Sequence, residues 1–246
     1  MRGLIDLVDT VIAAPTQPAM SVEYARRHIR AIGHQDDVMI ASWIGAATSW
    51  FDEQTSRQLI TSTREVWMDT FPMDYYGLAV GPGLGLGLWG FGAGLRIELP
   101  HPPLQQVLSI KYIDSNGVLQ SVSDGGSPDL PLYQFKAPAG PYARRGWVEP
   151  LPATSWPIVQ WQNSGAVRIQ YTCGYGDDMT TIPDLILGVI AYLVGNFDQY
   201  RTSIAFRTGF GDFPLGVQML VDGFKYSAYP THAVRQWGSW GTGRIL

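Results

Sequence analysis

Apolar positions recur with a helical period in four stretches of the chain. Ser21 is a natural N-cap for a helix running to about Ile32, with Glu23 in its first turn and Gly33 as its end. A second helix begins near Gln35 or Asp36 and runs to about Thr55. Its apolar residues Ile40, Trp43, Ile44, Ala47, Trp50 and Phe51 fall three and four apart, and Asp36 and Asp37 suit its positive end. Pro183 to Tyr200 carries Leu185, Ile186, Val189, Ile190, Leu193, Val194 and Phe197, a stripe broad enough to need several packing neighbours. A last helix starts at Pro214, well placed at a first helical position, and runs to about Phe224. Before all of these, residues 1–20 read as an arm or a short helix and then a loop, because Pro15 and Pro18 interrupt regular structure.

Between the second and third helices the period shortens. Ser62 to Phe71 is β-prone, Ile97 to Leu99 forms a short strand before Pro100, and Val107 to Asp114 forms a longer one. Asn116-Gly117 favours a type I′ hairpin turn into Val118 to Val122. Further strand signals lie around Leu132 to Lys136, Gly146 to Val148, Trp156 to Trp161 and Ala166 to Cys173. The last of these alternates clearly, with Val167, Ile169 and Tyr171 on one face. The expectation is an α+β fold: a bundle of about four helices with an inserted, mostly antiparallel β region, an extended loop and a C-terminal arm. The expected parts are residues 1–60 (helical), 61–175 (β-rich), 182–225 (helical, packing on the first part) and 226–246 (arm).

Composition locates the irregular parts. Of 246 residues, 28 are Gly and 17 Pro. Eight of the glycines fall between Gly77 and Gly94, in the nearly uncharged segment 74–94. Glycine at that density disfavours a core element because of its backbone entropy. Residues 123–155 are irregular by composition. The segment 226–246 sets Tyr226, Tyr229, Trp237 and Trp240 among small residues, with Arg235 and Arg244 and no acid. Charged residues make up 15% of the chain, against about 25% in ordinary domains. That fits either a surface partly covered by partners or a globular domain with long apolar loops. A net charge of −4 argues against a dedicated nucleic-acid binder. No signal peptide is expected, since Asp6 and Asp9 interrupt the early apolar run, and Leu185 to Val194 is too short to span a bilayer.

Candidate chemistry is sparse. A single cysteine, Cys173, excludes an internal disulfide and a cysteine metal cluster, and it reads as a small buried hydrophobe. His28, His34, His101 and His232 share no metal-ligand spacing. The run GPGLGLGLWGFGAG has neither a GxGxxG nor a Lys-Ser/Thr ending. No G-x-S-x-G elbow occurs. The neighbouring acids Asp52 and Glu53 point to different parts of a helix surface, and Asp177 and Asp178 follow glycines in a turn. Arg26, Arg27 and Arg30 form a small basic group on the first helix, suited either to DNA phosphate or to the acids of a neighbouring subunit. No catalytic, cofactor or metal assignment follows.

The order of motifs resembles the head-to-tail connector, or adaptor, proteins of tailed phages, in particular the phiE125 type. The residues that carry it begin with Asp36-Asp37, Ile44-Gly45-Ala46-Ala47 and Thr55-Ser56-Arg57-Gln58-Leu59-Ile60. They continue through Leu99-Pro100, Pro102-Pro103-Leu104-Gln105, Ile110-Lys111-Tyr112, Asp114 and Gly117. Val167-Arg168-Ile169, Tyr171-Thr172-Cys173-Gly174-Tyr175-Gly176, Ile182-Pro183-Asp184-Leu185 and Phe197-Asp198-Gln199-Tyr200-Arg201 complete the set. Together they cover about two thirds of the chain.

The resemblance implies a virion component without enzymatic activity or cofactor, made in the host cytoplasm and placed in the neck between capsid portal and tail. It implies a ring, with twelve copies as the family number, seated under the portal protein and offering a platform to the stopper or tail-completion protein. DNA would pass through the channel without sequence-specific binding, and no membrane is involved. Segments 74–94, 123–155 and the tail depart from the family's compact form. Glycine-rich aromatic arms suit the wrapping of a neighbour. Tyr229, Trp237 and Trp240, with Arg235, are therefore expected to contact the portal or an adjacent protomer, and Trp89 and Phe91 a neighbouring ring or protomer. Arg26, Arg27 and Arg30 are a possible basic interface patch. The competing readings are a stopper or tail-completion protein of the same assembly, a DNA-binding module, and a small hydrolase.

Overall fold

The computed structural model describes residues 8–72, 95–122, 133–152, 154–160, 163–199 and 215–225. The chain forms β1 (Val8–Ala13), α1 (Val22–Ile29), α2 (Asp37–Thr55), β2 (Ser62–Met68), β3 (Ile97–Glu98), β4 (Leu104–Ile113) and β5 (Leu119–Val122). These are followed by β6 (Tyr133–Lys136), β7 (Trp147–Pro150), β8 (Val167–Cys173), α3 (Asp184–Gln199) and α4 (Leu215–Phe224). The fold is α+β, as expected, with four helices and two antiparallel sheets among the described residues. One sheet has the order β1-β2-β8-β4-β5 and the other β3-β7-β6.

Strand β8 holds the larger sheet together. Its residues Val167, Ile169, Tyr171 and Cys173 are all buried, and those between them are half-buried, as a period of two requires. On one side it pairs with β2, setting Ile169 against Val66. On the other it pairs with β4, setting Ile169 against Ile110. The buried face of this sheet shares a core with Val148 and Tyr133 of the smaller sheet and with Phe71 and Trp156. The rings of Phe71 and Trp156 stack at 4.7 Å.

The helices have their own core. Ile40, Ile44, Ala47 and Phe51 of α2 meet Ile186, Ile190, Leu193 and Val194 of α3, and Val221 and Phe224 of α4 close one side. Arg57 links this core to the sheets. It is 3% exposed, donates from Nε to the Phe224 carbonyl at 2.7 Å and from Nη1 to the Tyr175 hydroxyl at 3.1 Å, and lies over the Phe224 ring. Tyr175 in turn donates to the Pro141 carbonyl at 2.6 Å, and Tyr142 stacks on Phe224 at 4.8 Å.

Four local expectations are corrected. Residues 8–13 are a strand rather than an arm or helix; β1 lacks hydrophobic alternation because it is an edge strand, held by its ladder with β2 and by Asp9. Helix α1 ends earlier than Ile32, because Arg30 takes the left-handed conformation (φ 57°) and Ala31 N–H returns to the Arg26 carbonyl. The β4–β5 turn is not type I′. Gly117 N–H bonds the Asp114 carbonyl, Gly117 alone is left-handed (φ 81°), and the Asp114 carboxylate takes the N–H groups of Asn116 and Val118, both at 2.9 Å. This is a three-residue loop ending in a glycine bulge. Finally, among the described residues 156–160 the only β pairing is the bridge of Val159 to Asp114, since Pro157 has no N–H to donate to a ladder.

Gly174 shows why the Cys-Gly-Tyr-Gly motif has its form. A β-carbon there would come within 2.7 Å of the Thr61 nitrogen and 2.8 Å of the Ile60 carbonyl carbon, and φ is +131°. This close approach lets Thr61 N–H reach the Gly176 carbonyl and Tyr175 N–H the Leu59 carbonyl. Gly174→Ala is expected to destabilise the fold by about 2–4 kcal/mol, read as a lower urea midpoint with unchanged slope.

Candidate functional site

Two charged groups on the described surface deserve a chemical reading. The first is the basic group of α1. Glu23, one turn ahead, accepts from Arg26 Nη2 at 2.5 Å and from Arg27 Nε at 2.9 Å. Arg26 also lies 3.4 Å from Asp37 and 3.2 Å from the His34 ring, and Asp37 lies 2.8 Å from His34. Arg26 thus fastens α1 to the start of α2, with its side chain only 15% exposed. Arg27 and Arg30 are exposed, and Arg27 already has an acid beside it. The three arginines do not form one free cationic face.

The second group lines a cleft of about 540 Å³ where the helical part meets the edge of the larger sheet. One wall is the exposed side of α2, at Gly45, Ser49 and Asp52. The other is the chain after β1, at Ala14, Pro15 and Pro18, with Arg64 and His101 between them. Period two on β1 and β2 puts Asp9 and Arg64 on one face, and Arg64 reaches Asp9 while donating to Gln58 Oε1 at 3.0 Å. His101 Nε2 lies 3.0 Å from the same Asp9 carboxylate, and the Tyr171 hydroxyl lies 3.3 Å from it and 3.2 Å from the Pro100 carbonyl. Burial pushes the Asp9 carboxyl up, but the His101 hydrogen bond and the Arg64 charge outweigh it and leave it below the usual range.

Asp52 differs. Burial raises its carboxyl to about 8, only partly opposed by Arg64 and by the Leu59 N–H, and its Oδ1 is buried with no hydrogen-bond partner. Arg64, whose charge acts on Asp52, already donates to Asp9 and Gln58. Sequence spacing singled out Asp52 as one of two adjacent acids but carried no sign of this isolation, which arises in the cleft lined by α2, the chain after β1 and Arg64.

Neither group resembles a catalytic constellation. Cys173 is buried, its thiol pushed up to about 11 by desolvation, and its Sγ lies 3.6 Å from Ser62 Oγ. Among the described residues no group of three or more His, Cys, Asp or Glu is placed to hold a metal ion, and no helix is long and apolar enough to cross a membrane. Tyr229, Arg235, Trp237, Trp240, Trp89 and Phe91 lie outside the described residues.

Comparison with solved structures adds a finding the geometry alone does not contain. A chain from the neck of an empty GTA particle, computed with C6 symmetry, superposes with a TM-score of 0.66 at 19% identity, over 91% of this chain and 98% of that one. The chain has the fold of that neck protein. A chain in the virion of a native gene transfer agent particle gives 0.64 at 20% identity, and one from the neck of the native particle computed with C12 symmetry gives 0.60 at 19%, with the same coverage. No family model and no curated protein matches the sequence.

The state of Asp52 has a measurable consequence. In the unfolded chain it ionises near 3.8, in the folded chain near 8. The folded state therefore holds the extra proton between these values, and its contribution to stability falls as pH rises through that window. Asp52→Asn should match the native chain near pH 4 and exceed it by several kcal/mol, at most about 5, at pH 9. Melting temperatures of both chains from pH 4 to 9 check this.

Proposed function

We propose that this chain is a structural ring component of a phage-type neck, an adaptor that sits under the portal around the DNA channel and offers a platform to the stopper. The observation that carries this reading is the shared fold, which extends over 91% of this chain and nearly the whole of a neck protein. The resemblance of the ordered motifs to phage connectors points the same way. A ring of identical subunits requires two different complementary faces, because the same heterologous contact repeats around the axis until it closes. The described surface supplies candidates. Ile32 and Val38, between and at the start of the first two helices, are 98% and 85% exposed, and the edge strand β1 presents Val8 and Ile12 at 58% and 52%. The segments 74–94 and 226–246, with Trp89, Phe91, Tyr229, Arg235, Trp237 and Trp240, are the proposed contacts to neighbouring protomers, rings or the portal.

A DNA-binding role draws less support, because Arg26 serves within the chain and Arg27 is matched by Glu23. A channel through which DNA must slide is better served by such neutralised cations than by strong phosphate attraction.

Two experiments test the reading. Particle imaging with the protein labelled should place a closed ring directly against the portal; a ring seated on the tail side would replace the adaptor role by that of a stopper. In solution, the double change Ile32→Glu and Val38→Glu should leave the melting temperature within a few degrees, since both side chains face water, while lowering the assembled fraction measured by light scattering. Unchanged assembly would remove this patch from the interface.

A further inference from the structure

The cleft between α2 and β1 holds a feature that folding alone does not explain: a buried carboxylate oxygen of Asp52 without a partner. The charged groups facing it are Arg64 from β2, engaged by Asp9 and Gln58, and, from the loops and its own helix, His101 and Glu53. His101 is held by Asp9. Around the acid the walls are mostly apolar or small: Val11, Ala14, Pro15, Pro18, Ile44 and Gly45. Such a site suits a cationic side chain on an extended, apolar and aromatic stretch of polypeptide.

The chain itself contains a segment of that description. Residues 226–246 carry Arg235 and Arg244, four aromatic residues and no acid. We propose that the cleft receives this C-terminal segment from a second copy of the chain, with one of its guanidinium groups pairing with Asp52. The geometry favours a second copy over the chain's own tail. Helix α4 packs by Trp50 and Gln54, on the opposite side of α2 from Ser49 and Asp52, and Arg57 fixes its last residue there. The segment starts from that fixed end, and 21 residues extend at most about 70 Å, enough to reach a neighbour. A guanidinium would give the buried Asp52 oxygen the donor it lacks and draw the group into its ionised form, and the aromatic residues would cover the small-residue wall. This inference rests on the ring reading, since a tail placed in the next copy is a heterologous contact that repeats around an axis.

Disulfide trapping in the full-length chain tests it. Ser49→Cys places a thiol on the exposed cleft wall, Ser239→Cys places one between the two tail arginines, and the native Cys173 is buried and does not compete. The two variants are mixed and oxidised mildly, while light scattering reports assembly. A covalent heterodimer is expected. Its yield should fall about tenfold when Asp52→Asn is added to the first chain, or when Arg235→Ala and Arg244→Ala are added together to the second. Assembly without the heterodimer would overturn the cleft proposal and leave the ring reading standing. A chain that stays monomeric, and that forms only an intrachain disulfide when both cysteines are in one copy, would overturn both.

Discussion

The guanidinium of Arg57 is buried against the helical core, and its hydrogen bonds join the end of α4 to the chain just beyond β8. A buried cation is tolerated only when its donors are satisfied. Here one donor goes to the carbonyl of Phe224, at the negative end of α4, and another to Tyr175 just beyond β8. Those partners lie about fifty residues apart in the chain, so neither α4 nor the turn after β8 can shift without leaving a donor of the buried charge unpaired. The bond to Phe224 also holds the last carbonyl of α4.

A second charged arrangement, around Asp9, anchors the N-terminal edge of the sheet in a different way. Arg64, His101 and Tyr171 converge on one carboxylate, so β1 is held by polar contacts and its backbone ladder rather than by apolar burial. Its apolar side chains are left facing outward. The strand is thus firmly held on its buried side while its apolar side chains remain exposed.

Much of this was legible in the residues. The period of α2 and α3, the alternation of β8 and the breaks at proline and glycine gave the α+β class and most element positions, because those patterns are the direct record of which faces are buried. Strand β1 was not legible, since an edge strand held by Asp9 leaves no hydrophobic alternation to read. The Asn116-Gly117 pair pointed to the right turn but to the wrong type, because the Asp114 carboxylate, two residues upstream, selects a longer loop. The cleft was invisible for another reason: Asp52 is one carboxylate among several in sequence, and its isolation depends on Arg64 of β2 directing its hydrogen bonds to Asp9 and Gln58 instead, which no pattern of spacing records.

Strand order also bears on how the chain is made. Strands β2 and β4 both wait for β8, which lies about a hundred residues beyond β2. At ribosomal speeds of about 5–20 residues per second, β2 is outside the ribosome for roughly 5–20 s before its central partner arrives. During that interval Arg64 and Glu65 on β2 and Lys111 on β4 are the charges that discourage these strands from pairing with the wrong chain. That delay is the period in which newly made copies of the chain are most exposed to one another.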